Sequence, residues 1–246
     1  MGRRGEARLN PTGAEAMTKR LLALTLILAG MIGWATKVES APCGGGVPCA
    51  CGDQVIADTV LLPTDPVVLG VCPGTALTVG GAITLDLGGQ TLRGSLAGRG
   101  VSIEHDDVTV SNGVVAGFLD GVKALDYDRI AVHHVTASAN RYFGIILRGH
   151  DNVVTDSLAL DQIGGRGMRI KGQRARFERN RAERNREGYG FNVIGDDAVL
   201  RDNAALDNGS DGFHVDGDRV LFEHNEAHRN ERHGIVTDDA FGSTLR

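Results

Sequence analysis

The chain has 246 residues and a formal net charge of −5. This length suits one domain behind a leader segment, and the mildly acidic overall charge gives no indication of a nucleic-acid partner. Hydrophobic residues make up 41% of the chain, whereas aromatic residues make up only 4% and glycines number 35. This composition suits a narrow, continuous core of small aliphatic side chains.

Residues 1–35 are predicted to be a secretion signal. A basic pair precedes an apolar run at 21–34 that is short for a membrane span. Small residues fit cleavage after Ala35, and Met17 is an alternative start. We therefore expect a secreted or periplasmic protein with no stable membrane anchor after cleavage. An uncleaved anchor is the alternative.

The four cysteines, Cys43, Cys49, Cys51 and Cys72, lie close together at the start of the exported part. An even, clustered count in an oxidising compartment favours disulfides over free thiols. Three pairings are open. We favour Cys51 with Cys72, because 21 residues is about one repeat, and Cys43 with Cys49 around a small loop. The alternative, a metal site, has C-x-C spacing instead of the C-x-x-C of zinc ribbons.

Residues 100–235 repeat one unit about every 22 residues, and this repeat decides the fold. Each unit has a glycine, an apolar residue, a variable residue and usually a second apolar residue, which is the alternation of a strand. No helical segment fits between these strands. The glycines are Gly100, Gly121, Gly144, Gly167, Gly190, Gly212 and Gly234.

A polar register follows each glycine by twelve or thirteen residues, and another often lies five residues further on. Stacked amides at these positions can bond from coil to coil and satisfy turn backbone groups. The glycines are expected to supply a positive φ or a close backbone approach. His134 and Ser157 fill the first register in two coils. The predicted amide ladder comprises Asn112, Asn180, Asn203 and Asn225, with Asn185, Asn208 and Asn230.

One pattern recurs at 180–193, 203–215 and 225–235: Asn-x-Ala-x-x-Asn, a glycine, then an apolar-x-apolar strand. It resembles the right-handed parallel β-helix family, which includes pectate-lyase-like proteins and NosD-type periplasmic accessory proteins of copper enzymes. The resemblance covers roughly residues 75–240. It implies an all-β solenoid of about eight coils of 21–23 residues. It does not fix the function, because the family includes lyases, hydrolases, epimerases and proteins without known activity.

The domain organisation follows from this resemblance. We expect residues 36–50 to form a linker or N-terminal cap and residues 51–246 to form the β-helix. A repeat array needs a terminal cap, and the tail after the last repeat is short. Three alternatives stay open: a tail that covers the end, a chain that ends early, and two copies that pack end to end.

The strand after each glycine is predicted to present two rows of side chains to solvent. Stacking by coil brings Arg148, Arg169 and Lys171 together, with Asn192, His214 and Asp216 one or two coils further on. In β-helix enzymes that this chain resembles, such a face carries the saccharide groove. Basic residues there could hold uronate carboxylates, so Arg148 and Asn192 are predicted to bind substrate.

The same face supplies the catalytic candidates. A His or Arg could abstract a proton next to a carboxylate, and an Asp could act in hydrolysis. The candidates are Arg169, Lys171, His214 and Asp216. An ordinary charged surface is the competing interpretation. The chain also lacks the Asp-Pro-His motif of alginate epimerases and a paired Asp-Asp hydrolase signature.

Two further sets of residues invite a metal interpretation. Turn aspartates could hold Ca²⁺, although Asp is also a standard turn residue. Grouped histidines, His133 with His134 and His224 with His228 and His233, could bind copper. We predict no metal site and no cofactor, with Ca²⁺ as the one cation kept open. The turn aspartates are Asp106, Asp107, Asp126, Asp128, Asp151, Asp196, Asp197, Asp216, Asp218, Asp238 and Asp239.

Together these features predict an exported β-helix protein whose partner is a polysaccharide. It is expected to bind or modify that polysaccharide, an acidic one if the basic residues contact it. If it is an enzyme, a polysaccharide lyase or a glycoside-hydrolase-like activity is expected. The alternative is a non-catalytic scaffold or a NosD-like periplasmic metal-accessory protein.

Overall fold

The computed structural model describes residues 41–238 and 240–246, which form a parallel β-solenoid of about eight turns. The predicted all-β solenoid is therefore confirmed. The predicted secretion signal at 1–35 and the turn residue Asp239 lie outside the described residues. Within the described part, no helix is long and apolar enough to cross a membrane.

The strands are short, as a coil of about 22 residues requires. One four-residue helix, α1, spans Pro66–Leu69. The strands are β1 (Pro42–Cys43), β2 (Asp53–Val55), β3 (Thr59–Val60), β4 (Leu77–Val79), β5 (Thr84–Asp86), β6 (Thr91–Arg93), β7 (Arg99–Ile103), β8 (Thr109–Ala116), β9 (Asp120–Leu125), β10 (Ala131–Ser138), β11 (Phe143–Arg148), β12 (Val153–Thr155), β13 (Leu158–Leu160), β14 (Met168–Lys171), β15 (Arg176–Glu178), β16 (Arg181–Glu183), β17 (Phe191–Ile194), β18 (Val199–Arg201), β19 (Ala204–Leu206), β20 (Phe213–Asp216), β21 (Leu221–Glu223), β22 (Glu226–His228), β23 (Ile235–Asp238) and β24 (Thr244–Leu245).

The strands form two parallel sheets. The ten-stranded sheet runs β1-β2-β4-β7-β9-β11-β14-β17-β20-β23 and takes one strand from each coil. The fourteen-stranded sheet takes the other two strands of each coil. These form one sheet because the long strand β10 pairs with both β12 and β13. Each strand therefore lies beside its equivalents in the neighbouring coils.

Alternation along each strand fills the narrow interior with Val, Ile, Leu and Ala. In the later coils, phenylalanine side chains fill part of this interior. Phe191 and Phe213 occupy paired positions on β17 and β20 and stack with ring centroids 4.8 Å apart. Phe177 packs edge-on against Phe191 at 5.5 Å, and Phe222 packs edge-on against Phe213 at 5.0 Å. The core is thus continuous from coil to coil.

The repeated glycines serve close packing and not a positive φ. At Gly190, a Cβ atom would lie 2.7 Å from the carbonyl oxygen of Gly212 and 2.8 Å from the Asn208 side chain. Only hydrogen fits at this position of the strand. Positive φ belongs to a different glycine register at the end of the same strand, at Gly149, Gly172, Gly195 and Gly217.

Two amide ladders run along the solenoid inside its turns. In the first, Oδ1 of Asn203 accepts the backbone N–H of Asn180 at 2.9 Å, and its Nδ2 donates to the carbonyl oxygen of Phe177 at 2.8 Å. These buried side chains satisfy turn backbone groups that strand pairing leaves free. The first ladder comprises Ser157, Asn180, Asn203 and Asn225, and the second comprises Asn140, Gln162, Asn185, Asn208 and Asn230.

The assignment of Asn112 to the ladder is wrong. Asn112 is exposed, has φ 57°, and donates its side-chain N–H to Asp86. His134 has φ 53° at the same place in the next coil. The ladder register lies one residue later, at Gly113 and Val135, which pair with each other. A polar residue at the turn position had been taken for the ladder residue.

The turns between strands carry a different polar pattern. Many of the turn positions in the left-handed region alternate between Asp and Arg from coil to coil, and each of these Arg residues reaches back to the Asp of the preceding coil. Arg174, for example, donates to both carboxylate oxygens of Asp151, at 2.6 and 2.8 Å. We call these ion pairs the corner pairs: Asp107–Arg129, Asp151–Arg174, Asp156–Arg179, Asp161–Arg184, Asp197–Arg219 and Asp207–Arg229.

Other turn aspartates bond to the backbone. Asp106 Oδ1 accepts the N–H of Asp128 at 2.9 Å, and Asp196 Oδ1 accepts the N–H of Asp218 at 3.0 Å. These carboxylates thus link the turns of neighbouring coils.

The N-terminal coils are closed by the two disulfides, Cys43–Cys49 and Cys51–Cys72. The buried carboxylate of Asp65 accepts the N–H groups of Cys49 and Leu62 and holds this segment together. At the other end, β24 pairs with β21 and continues the fourteen-stranded sheet.

Replacing Asn203 with Ala is expected to lower the free energy of unfolding by about 1–3 kcal/mol, because backbone groups of Asn180 and Phe177 lose their buried partner. Urea unfolding followed by circular dichroism measures the loss. Asn112→Gly is the control, since it removes an exposed amide at a positive φ that glycine adopts freely. Equal losses in the two variants would show that the ladder amide has no special role.

Thermal stability is expected to fall as the pH drops below about 4. Hydrogen bonds from the paired arginines lower the pKa of five corner aspartates below the value of about 3.9 in an unfolded chain. The resulting stabilisation is present above that value and is lost as the pH falls through the folded pKa. A melting series between pH 6 and 2 tests this, and 1 M salt should weaken the dependence. The five are Asp107, Asp151, Asp156, Asp197 and Asp207.

Candidate functional site

The outer surface of the ten-stranded sheet, here called the strand face, carries the predicted site residues. Register pairs Arg169 with Ile146 on one side and with Asn192 on the other, and pairs Lys171 with Arg148. One strand further on, Asn192 pairs with His214. The two predicted rows therefore lie on the outer side of the sheet, but Ser102 and Asn192 of the first row are almost fully buried and do not face solvent as predicted. The catalytic and binding roles of these residues stay predictions.

A third row lies on the other side of the repeated glycine and was missed by the sequence analysis. Pairing of Arg99 with Asp120, and of Asp120 with Phe143, shows that β7, β9 and β11 begin one residue before the glycine. Backbone hydrogen bonds at the same position continue the row in later coils, as between the N–H of Gly190 and the carbonyl oxygen of Asp211. The signal was present, because a charged or aromatic residue precedes every repeated glycine. The row comprises Arg99, Asp120, Phe143, Arg166, Tyr189, Asp211 and His233.

Four cations on β11, on β14 and just before β14 form what we call the basic band: Arg148, Arg166, Arg169 and Lys171. In the described part of the chain, only Arg148 has a carboxylate within 4 Å, at 3.5 Å from Asp126. Burial, followed by repulsion from Arg166 and Arg148, lowers the pKa of Arg169. Its Nε is buried without a hydrogen-bond partner.

The basic band borders a groove of about 210 Å³. Leu125, Ile146 and Leu147 supply apolar lining, and Arg148, Arg169 and Lys171 supply its charges. At the side of the band, the Arg166 guanidinium lies 5.1 Å from the Tyr189 ring centroid and 5.8 Å from that of Phe143. These contacts are cation–π distances and hold Arg166 without neutralising it.

The next coil along the strand face is uncharged. Asn192 is almost fully buried and its Nδ2 donates to the carbonyl oxygen of His214 at 3.4 Å. The Tyr189 ring stacks on the imidazole of His214, with centroids 4.6 Å apart and planes 9° apart. With Ile194, these side chains form a polar-aromatic surface one strand wide.

Beyond this coil lies an acidic band: Asp211, Asp216 and Asp238, with two histidines among them. Asp211 is buried, and its Oδ1 lies 2.9 Å from Nδ1 of His233. Nε2 of His214 lies 3.5 Å from a carboxylate oxygen of Asp238, while its buried Nδ1 has no hydrogen-bond partner. Asp216 and Asp238 lie directly beside each other in register.

The predicted catalytic residues thus fall into two groups. Arg169 and Lys171 lie on β14, whereas His214 and Asp216 lie on β20, and β17 separates them. Two strand spacings amount to roughly 9.6 Å, so the groups face neighbouring sugars more readily than one shared atom.

The histidines of the metal hypothesis are spread over different turns and strands. His133 bonds Thr155 at 2.6 Å, and its pKa is lowered by burial. His224 lies beside Asp202 on another turn, at 3.5 Å. Over residues 41–238 and 240–246, no three metal-ligating side chains converge as a metal site.

Comparison with known proteins gives one family. The model of the right-handed β-helix region matches residues 85–215 and, in a second overlapping match, residues 120–246. No curated protein matches the chain. A crystal structure of a double mutant of the periplasmic alginate epimerase AlgG has a TM-score of 0.43 and 14% sequence identity, covering 79% of this chain and 47% of the epimerase. The chain thus spans about half the length of that enzyme. The family matches extend over most of the solenoid, and the chain belongs to the right-handed β-helix family.

Proposed function

We propose that this β-helix is an exported glycan-binding protein that holds an anionic saccharide on the basic band of its strand face. Two disulfides in the N-terminal coils support export to an oxidising compartment. The shape supports an elongated ligand, because the exposed sheet runs the length of the solenoid. The sugar's anionic group would be a carboxylate or a sulfate.

The observation that carries the proposal is where the unneutralised cations lie. Each corner arginine is paired with a carboxylate of the neighbouring coil, so the chain can neutralise charge by alternating Asp and Arg. On the strand face it does the opposite, because Arg148 and Lys171 lie side by side in register. Like charges directly opposite each other destabilise a sheet. An anionic ligand would relieve that repulsion.

The chemistry of the groove matches a sugar acid. Guanidinium groups bind carboxylates and sulfates through charge-assisted hydrogen bonds. The apolar floor at Leu125 and Ile146 can contact the C–H groups of a sugar ring. The Tyr189 ring offers the next sugar an aromatic surface beside the basic band. Arg169, already half-buried between other cations, gains the most from an incoming anion.

Catalysis is a separate prediction on the same face. A lyase or hydrolase mechanism would have to use His214 or Asp216 on a sugar next to the one bound by Arg169. Chain shortening or a new unsaturated-uronate absorbance would show it. The metal-accessory alternative would be favoured instead by copper binding that needs His224, His228 or His233.

Arg169→Gln is expected to weaken binding of a short oligouronate about tenfold or more, because a charge-assisted hydrogen bond contributes about 1.5–3 kcal/mol. Isothermal titration calorimetry at low ionic strength measures the change. Arg174→Gln is the matched control: it removes the same charge one turn away, from a corner pair, and should leave the affinity within about twofold.

Equal weakening in both variants would mean that only net charge matters and would contradict a site on the strand face. If the unmodified protein binds neither uronate nor sulfated oligosaccharides, the glycan-binding proposal is wrong.

A further inference from the structure

The strand face changes sign along the solenoid axis. The strand carrying Arg166, Arg169 and Lys171 has three cations and no anion on its outer side. Two strands further on, Asp211 and Asp216 replace them, followed by Asp238. The coil between these bands presents Tyr189, Asn192 and Ile194 and has no charge.

The acidic band has the same unfavourable arrangement as the basic one. Asp216 and Asp238 are adjacent in register, and in the described part of the chain neither lies within 4 Å of a lysine or arginine. The neighbouring imidazoles are those of His214, close to Asp238, and His233, which bonds Asp211. Both bands therefore store like-charge repulsion that a ligand with complementary charges would remove.

The distance between the basic band and the acidic band fits a single ligand that contacts both. Strands in the sheet are about 4.8 Å apart, so roughly 9.6 Å separates the β14 charges from those on β20. A pyranose residue is about as long as one strand spacing. A glycan lying along the axis would thus place three consecutive sugars over the basic band, the uncharged coil and the acidic band.

Resting on the glycan-binding function proposed above, we propose that the ligand is zwitterionic: an anionic sugar and a cationic amino sugar separated by one uncharged sugar. The anionic group lies over Arg169 and Lys171. The ammonium group lies over Asp216 and Asp238, and the middle sugar contacts Tyr189 and Ile194. A polymer of uronates alone is disfavoured, because its carboxylates would also meet the acidic band.

Three trisaccharides of one backbone test this. The first carries a uronate, a glucose and a glucosamine with a free amine, the second is its N-acetylated form, and the third contains three uronates. Calorimetric titration at neutral pH and low salt is expected to show about tenfold tighter binding of the free-amine compound than of either other compound.

The double variant Asp216→Asn, Asp238→Asn is expected to abolish the gain from the free amine and to bind the tri-uronate as tightly as the unmodified protein or tighter. Glu231→Gln, which removes an exposed acid from the turn before β23, is the control and should keep the gain. Melting curves check that the double variant is folded, and its stability should rise because a like-charge contact is removed.

The outcomes separate the two proposals. If the tri-uronate binds in an Arg169-dependent manner and the free amine gives no gain, the glycan-binding function stands and the zwitterionic ligand is overturned. If none of the three compounds binds, the zwitterionic ligand is overturned, and the glycan-binding function falls with it only when sulfated oligosaccharides also fail to bind. A gain that survives in the double variant would place the amine elsewhere and would also overturn the inference.

Discussion

Parallel pairing of each strand with its equivalent one coil away is the constraint on which the rest of this structure depends. It sets every side chain on top of its own counterpart at a spacing of about 4.8 Å. The side chain at a repeated position must therefore be stable next to the side chains at the same position in the neighbouring coils. Amide side chains meet this condition because they both donate and accept hydrogen bonds. Apolar side chains meet it by packing against one another. Charged side chains meet it only when the sign of the charge alternates from coil to coil. Asn203, Phe191 and the corner pair of Asp151 with Arg174 are the three solutions.

This rule explains how much of the fold the sequence could reveal. Periodicity predicted the solenoid, the rows on the outer side of the sheet and most of the ladder, because stacked positions must resemble one another. It failed where a coil departs from the consensus. At Asn112 a polar residue occupies the turn position, and Gly113 stands at the ladder register, so composition pointed one residue too early. The third row of the strand face was missed because the residue before the glycine varies in charge and aromaticity from coil to coil, so no single residue type marks the position.

The site was harder to predict than the fold for a physical reason. Sequence showed that Arg148, Arg169 and Lys171 would cluster, but an exposed cluster of cations is ordinary when acids surround it. Only the three-dimensional pairing separates the corner arginines, which are neutralised by a carboxylate of the neighbouring coil, from Arg166 and Arg169, which have no carboxylate within 4 Å in the described part of the chain. At the corners, charges of opposite sign alternate. On the strand face, Arg148 lies beside Lys171 and Asp216 lies beside Asp238, and this contrast distinguishes the strand face as the candidate site.

The corner pairs also divide the solenoid into modules. They join the coils in pairs. Each Arg bonds the Asp of the preceding coil, and the following coil has Asp at that position, which bonds the Arg of the coil after it. Around the coils of β11 and β14, all three corners are joined in this way. The repulsion within the basic band therefore falls inside a two-coil unit of about 45 residues, here called a clamp, whereas the boundaries between clamps lack corner pairs and rely on strand pairing, core and ladder. A mechanical load along the axis would part the solenoid at those boundaries and leave the basic band whole. The corner pairs of that clamp are Asp151–Arg174, Asp156–Arg179 and Asp161–Arg184.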